Sequence, residues 1–161
     1  MTTHQLAKPA PTYDTTLRTR LTALIALHAP SAAAAAAAAG WAESTLYRRL
    51  NLDPDDGSNY RRLNSSDVDQ LLTGIGLPAD AALQPALLPG DHDLLVWVAE
   101  RTPADPLPSK ALHSKVVHTG RLELRSVRRM RLQGLLDLCG DPDDQSTWYL
   151  RLTPAGQRAL A

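Results

Sequence analysis

The chain has a single cysteine, no phenylalanine and no excess of charge of either sign over its 161 residues. Each shortage excludes something. Cys139 alone cannot form an internal disulfide, which suits a reducing cytoplasm and leaves small apolar packing as its default role. Seventeen Lys and Arg against 17 Asp and Glu give a formal net charge of zero, so no overall basic field steers the chain onto nucleic acid. Any DNA affinity has to come from local clusters, and a sequence-independent coating role is not expected. The missing phenylalanine, beside abundant alanine, arginine, leucine and aspartate, reads as the coding bias of a GC-rich bacterium. No stretch is long and apolar enough to span a bilayer. Arg18, Arg20, LTALIALHAP and the alanine run have the outline of a secretory signal, but His28 and Pro30 interrupt the run and its leucines suit an amphipathic helix. A cytoplasmic protein with a disordered leader over 1–12 is expected.

Catalytic signatures are missing as well. There is no phosphate-cradling glycine loop and no nucleophile elbow, and GIG at Gly74 to Gly76 lacks the following helix that a dinucleotide site needs. His113 and His118 are poorly spaced for one helix face, and Cys139 is a lone thiol, so no zinc site is expected. The loop DPDDGS from Asp53 lacks the closing glutamate of a calcium loop and reads as a capped turn. No enzyme, cofactor or metal is expected.

What is present is a helix, a glycine corner and a second helix, in SAAAAAAAAGWAESTLYRRLN from Ser31 to Asn51. Ser31 can cap the first helix, alanine has the highest helix propensity, and Gly40 can take the left-handed conformation that ends it. Glu43 and Ser44 stand where the second helix begins, and Leu46 and Leu50 give it one apolar face. Small alanines let two helices cross closely, as a helix-turn-helix requires. Upstream, Asp14 can cap a helix striped by Leu17, Leu21, Leu24 and Ile25. Downstream, Asp53 to Ser58 is a loop, and Asn64 or Ser65 starts a helix with Val68, Leu71 and Leu72 inward.

GWAESTLYRRLN, the DPDD-type loop and RRLNSSDVDQLLTGIG resemble the DNA-binding domain of phage regulators of the CII type and, more loosely, phage repressor domains. The resemblance spans about Asp14 to Asp80. It implies a transcription regulator at a promoter or operator of a temperate phage or prophage, with Glu43, Ser44, Thr45, Tyr47 and Arg48 facing DNA. Where many such helices carry an apolar residue three after Leu46, this chain has Arg49, so the rotation of the helix and the choice between Arg48 and Arg49 stay open.

LPADAALQPALLPG, Leu77 to Gly90, holds three prolines and no Lys or Arg and reads as a linker, with room for a short helix. Asp91 can then cap a helix through Leu94, Leu95, Val96 and Val98, with Trp97 placed to fill a core. After the proline-broken TPADPLPS, Ser109 caps a helix with Leu112, Val116 and Val117 inside, and His118 to Gly120 turn the chain. In RLELRSVRRMRLQ, placed on a helix, Leu124, Val127 and Met130 fall to one side and Arg121, Arg125, Arg128 and Arg129 to the other, a basic stripe suited to phosphates. Its first four residues also alternate like a strand, and an arginine face is commonly just a solvated one.

Leu135 to Leu138 reads as a short strand, Gly140 to Ser146 as a hairpin tip and Trp148, Leu150 and Leu152 as the returning strand. Thr153 caps a closing helix with Pro154 at its first position. GLL, a polar gap and YLRLTPAGQRAL resemble the wing and last helix of winged-helix proteins of the MarR and related bacterial classes, over about Asp91 to Ala161. A wing on DNA commonly has Lys or Arg at its tip; here stand Asp141, Asp143 and Asp144. Either the wing points away from DNA or this unit binds a protein.

The expected fold is mainly α: a leader over 1–12, a helix-turn-helix domain over 13–76, a linker over 77–90, and a winged-helix domain over 91–161 with a two- or three-stranded antiparallel sheet. The expected function is a sequence-specific DNA-binding transcription regulator. A homodimer on a double-stranded operator is expected, because one short helix reads too few bases. The alternative is an adaptor whose winged helix docks on another regulator, polymerase or phage protein without touching DNA.

Overall fold

A computed structural model describes residues 5–50, 63–100 and 121–161. The loop expected at Asp53 to Ser58 and the helix expected from Ser109 lie outside these residues, as does the turn at His118 to Gly120. The fold is mainly helical, with one two-stranded antiparallel sheet among the described residues. The chain divides into one unit over Tyr13–Leu88 and another formed by Met1–Thr12 with Pro89–Ala161.

The first unit is helical. α1 (Tyr13–His28) and α2 (Ala32–Ala38) are followed by α3 (Glu43–Leu50) and α4 (Ser65–Gly74). Asp14 lies in the first turn of α1, where its carboxylate accepts from Arg18 at 2.8 Å. Leu21, Leu24 and Ile25 of α1, Ala35, Ala36 and Ala39, Leu46 of α3, and Leu71 and Leu72 of α4 are buried in one core. Removal of such apolar surface from water is the main force holding helices this short in place.

Local signals set the ends. Ser31 accepts the Ala34 N–H at 3.1 Å as the cap of α2. Asn64 accepts the Asp67 N–H at 2.8 Å while Asp67 accepts the Asn64 N–H at 3.3 Å, a reciprocal box that opens α4. At the corner Gly40 has φ +73°, and the N–H groups of Gly40 and Trp41 donate back to Ala37 and Ala36 at 3.0 and 2.8 Å. That is a Schellman end, which satisfies carbonyls the helix leaves unpaired. Across α2, Gly74 lets α4 approach: a Cβ there would stand 2.8 Å from the Ala38 carbonyl carbon.

The segment 77–90 is not a free linker. It forms a 3₁₀ turn at Ala81–Leu83, buries Ala82 and Ala86 in the first unit's core, and receives Arg20, whose Nη1 donates to the Ala82 and Leu83 carbonyls at 3.2 and 2.8 Å. Prolines stop regular helix here, but alanines still supply apolar surface to cover α1.

In the second unit, α5 (Asp91–Ala99) and α6 (Arg121–Leu132) lead into β1 (Leu136–Cys139), β2 (Tyr149–Leu152) and α7 (Pro154–Leu160). Helix wins over the strand reading at the start of α6. Gly90, and not Asp91, caps α5, because the Asp91 carboxylate is drawn inward to Arg129. Leu95 and Val98 of α5 are buried; Trp97 is half-buried and Val96 exposed. β1 and β2 pair in register from Leu136 with Leu152 to Cys139 with Tyr149. The other edge of β1 is covered by residues expected in a disordered leader: Ala7 N–H donates to Leu138 O at 2.8 Å and Gly140 N–H to Gln5 O at 2.9 Å, around a bridge of Leu6 with Cys139. Unpaired strand edges attract partners, and residues 5–7 close this one. Thr153 accepts the Gly156 N–H at 3.0 Å, and Pro154 stands first in α7, as the local pattern predicts.

Candidate nucleic-acid interface

Helix α3 buries one side chain, Leu46, and turns the rest outward or sideways. Glu43, Ser44, Tyr47 and Arg48 are exposed, Tyr47 by 58%, while Thr45 and Leu50 are half-buried and the Arg49 side chain is mostly covered. Positions four apart share a helix face, so Glu43 with Tyr47 and Ser44 with Arg48 make two adjacent outer rows. These rows combine a carboxylate, a hydroxyl, a phenol and a guanidinium, groups able to bond base edges or phosphates.

Arg49 does not share that surface. Its guanidinium lies 4.1 Å from the centroid of the Trp41 ring, and Nη1 stands 2.9 Å from Asp67 Oδ1, with both side chains about nine-tenths covered. The contact with Asp67 is out of line for a hydrogen bond, so attraction is ionic and through the ring face. From the other side Arg18, almost wholly buried, binds the Arg49 carbonyl through Nη1 and Asp14 through Nε at 2.8 Å. Of the two adjacent arginines, Arg48 is exposed and Arg49 is held against Trp41 and Asp67. Asp67 and Trp41 were not among the expected site residues, and only their cationic neighbour hinted at a pairing.

The basic stripe on α6 is also divided. Arg125 and Arg128 are exposed, and Val127 and Met130 are buried on the opposite side as the spacing predicts. Arg129 turns to Asp91, donating from Nη2 at 2.5 Å and Nε at 3.3 Å, with a further bond to Ser126 Oγ at 3.1 Å. Asp91 has no exposed surface, so this arginine serves the interior. Arg121 opens α6, and its side chain is outside those described. Arg131, absent from the expected stripe, is half-buried, and burial lowers its guanidinium from its ordinary value while Asp137 opposes that shift and Arg128 adds to it.

At the hairpin tip Asp141, Asp143 and Asp144 are all exposed. Two of them shape the turn: Asp141 accepts the Asp143 N–H at 3.0 Å, and Asp144 accepts both N–H and Oγ–H of Ser146 at 3.0 and 2.6 Å. Bonds from Ser146 hold the Asp144 carboxyl below its ordinary value. Trp148 Nε1 donates to the Asp141 carbonyl at 2.7 Å and ties the tip to the strand. Aspartate is thus favoured here by turn chemistry, whatever the tip faces.

Cys139 is fully buried, and desolvation raises its thiol from the ordinary value, with Arg151 opposing the shift. Among the described residues no three His, Cys, Asp or Glu side chains stand close enough to hold a metal ion, and His113 and His118 lie outside them. Among the same residues no single helix is long and apolar enough to cross a membrane; α1 and α2 would suffice together, but the chain bends by 101° between them. No protein-family model, curated protein or solved structure matches the chain.

Proposed function

We propose that this chain is a sequence-specific DNA-binding regulator of transcription, of the phage or prophage type, acting as a homodimer on paired half-sites in a bacterial cytoplasm and without catalytic activity of its own. The observation that carries the reading is the split within α3: Leu46 and Arg49 are fixed inward while Glu43, Ser44, Tyr47 and Arg48 form a free polar face on the helix after a Schellman corner. A short helix that presents polar side chains from a rigid corner suits the major groove, which admits an α-helix and offers a donor and acceptor code. The test is selection of bound duplexes from a random pool by the full chain. Enrichment of a two-fold symmetric motif supports the reading, and recovery of an unenriched pool contradicts it.

The exposed acidic tip supports a second reading for residues 91–161, in which that unit engages a protein and leaves DNA to α3. Carboxylates beside phosphates are repelled, and only Arg125 and Arg128 of the described stripe are exposed. Exchange of Arg125 and Arg128 for glutamine separates the two: DNA contact by this unit requires a shallower salt dependence of affinity, whereas a protein-binding unit leaves it unchanged.

A further inference from the structure

We infer that Arg49 is a positioning residue for readout, and that its anchorage to Asp67, Trp41 and Arg18 sets the rotation of α3 that turns Tyr47 and Arg48 outward. This rests on the DNA-binding reading of α3. The helix has eight residues, Leu46 is its one buried side chain, and a helix this short has little stability of its own. Leu46, with Leu50 half-buried against the same core, marks the inner face, but successive residues stand only about 100° apart, so a roll by one position would exchange Arg48 for Arg49 on the outer face.

Three attachments from three elements oppose that roll. Asp67 of α4 meets the Arg49 guanidinium at 2.9 Å, the Trp41 ring lies against it at 4.1 Å, and Arg18 of α1 binds the Arg49 carbonyl. Asp67 is itself held by the α4 capping box, so the anchor point is stiff. A covered ion pair adds little net stability over an apolar pair of the same shape, but it defines one arrangement. Here the arrangement defined is which arginine meets solvent.

The test uses the full chain with Arg49→Met and Asp67→Asn combined, which leaves no unpaired charge and keeps an acceptor for the Asn64 N–H. Amide hydrogen exchange is followed across α1, α3 and α4, and affinity is compared for the selected duplex and a scrambled one. The expected result is faster exchange confined to α3 and a loss of about tenfold in the affinity ratio, with binding to the scrambled duplex kept. Arg49→Lys, which retains the cation, is expected to restore most of the ratio. Arg48→Ala is expected to lower the ratio with α3 exchange unchanged, as a reading residue should. Should the double variant not fold, Trp41→Leu removes the ring and leaves the ion pair, with the same expected direction. Unchanged α3 exchange and an unchanged ratio in a folded variant overturn the inference. A wild-type chain that enriches no sequence overturns the DNA reading instead, and the readout role with it.

Discussion

Arg129 and Asp91 form a charge pair, 2.5 Å apart, in which the Asp91 side chain is wholly buried and the Arg129 side chain is one-fifth exposed. The pair joins α6 to the first residue of α5 and removes one arginine from the surface stripe.

Arg129→Gln therefore removes the cation from a buried carboxylate and is expected to destabilise the second unit by about 3 to 5 kcal/mol. Arg125→Gln and Arg128→Gln are expected to stay within about 0.5 kcal/mol, because both side chains are exposed. Urea denaturation of the three variants checks this, and equal losses would contradict the division. On DNA, the slope of log affinity against log salt should fall by about 0.9 for each phosphate contact that Arg125 or Arg128 makes.

Gly74→Ala would ordinarily help a helix. Here its Cβ would meet backbone of α2 at 2.8 to 3.0 Å, so overpacking is expected to reverse the sign and cost about 1 to 3 kcal/mol. Gly40→Ala meets nothing nearer than Gln70 at 3.8 Å, and its cost, about 1 to 2 kcal/mol, comes from the positive φ alone. Thermal melting separates the two, and a stabilised Gly74→Ala variant would show that α2 and α4 are not this close.

The hairpin tip should respond to acid. Asp144 is held below its ordinary 3.8, so its contribution is present above that value and is lost as pH falls through the lower folded value. Ser146 amide exchange should accelerate over that range and not before, and an Asp144→Asn variant should show no such step. At the other end of the scale, Cys139 is raised above its ordinary 9.0, so its contribution is present while the thiol stays protonated and fades as pH rises through the higher folded value. Alkylation of the folded protein at mildly alkaline pH should be slow and should follow unfolding by urea.

Much of the helical frame was legible because its signals are local. Ser31, Gly40, Asn64, Thr153 and Pro154 each act on backbone within a few residues, and each stands where its pattern predicts. The site was legible only in part. Spacing places Arg48 and Arg49 side by side on one short helix, and Arg128 and Arg129 likewise, but which of each pair is exposed depends on carboxylates distant in the chain, Asp67 and Asp91. The same holds for residues 5–7 and for 77–90. Their composition reads as leader and linker, and only tertiary contact with β1 and α1 gives them a place.

The most direct test of the central claim is the affinity of the Tyr47→Ala, Arg48→Ala double variant for the duplex that the wild-type chain selects. Both side chains are exposed, so melting should be nearly unchanged, while each lost base contact should cost about 1 to 3 kcal/mol of specific binding. The account predicts a variant that melts like the wild type and binds selected and scrambled duplexes alike. A variant that keeps wild-type affinity for the selected duplex would contradict it, because α3 would then not be the element that reads DNA.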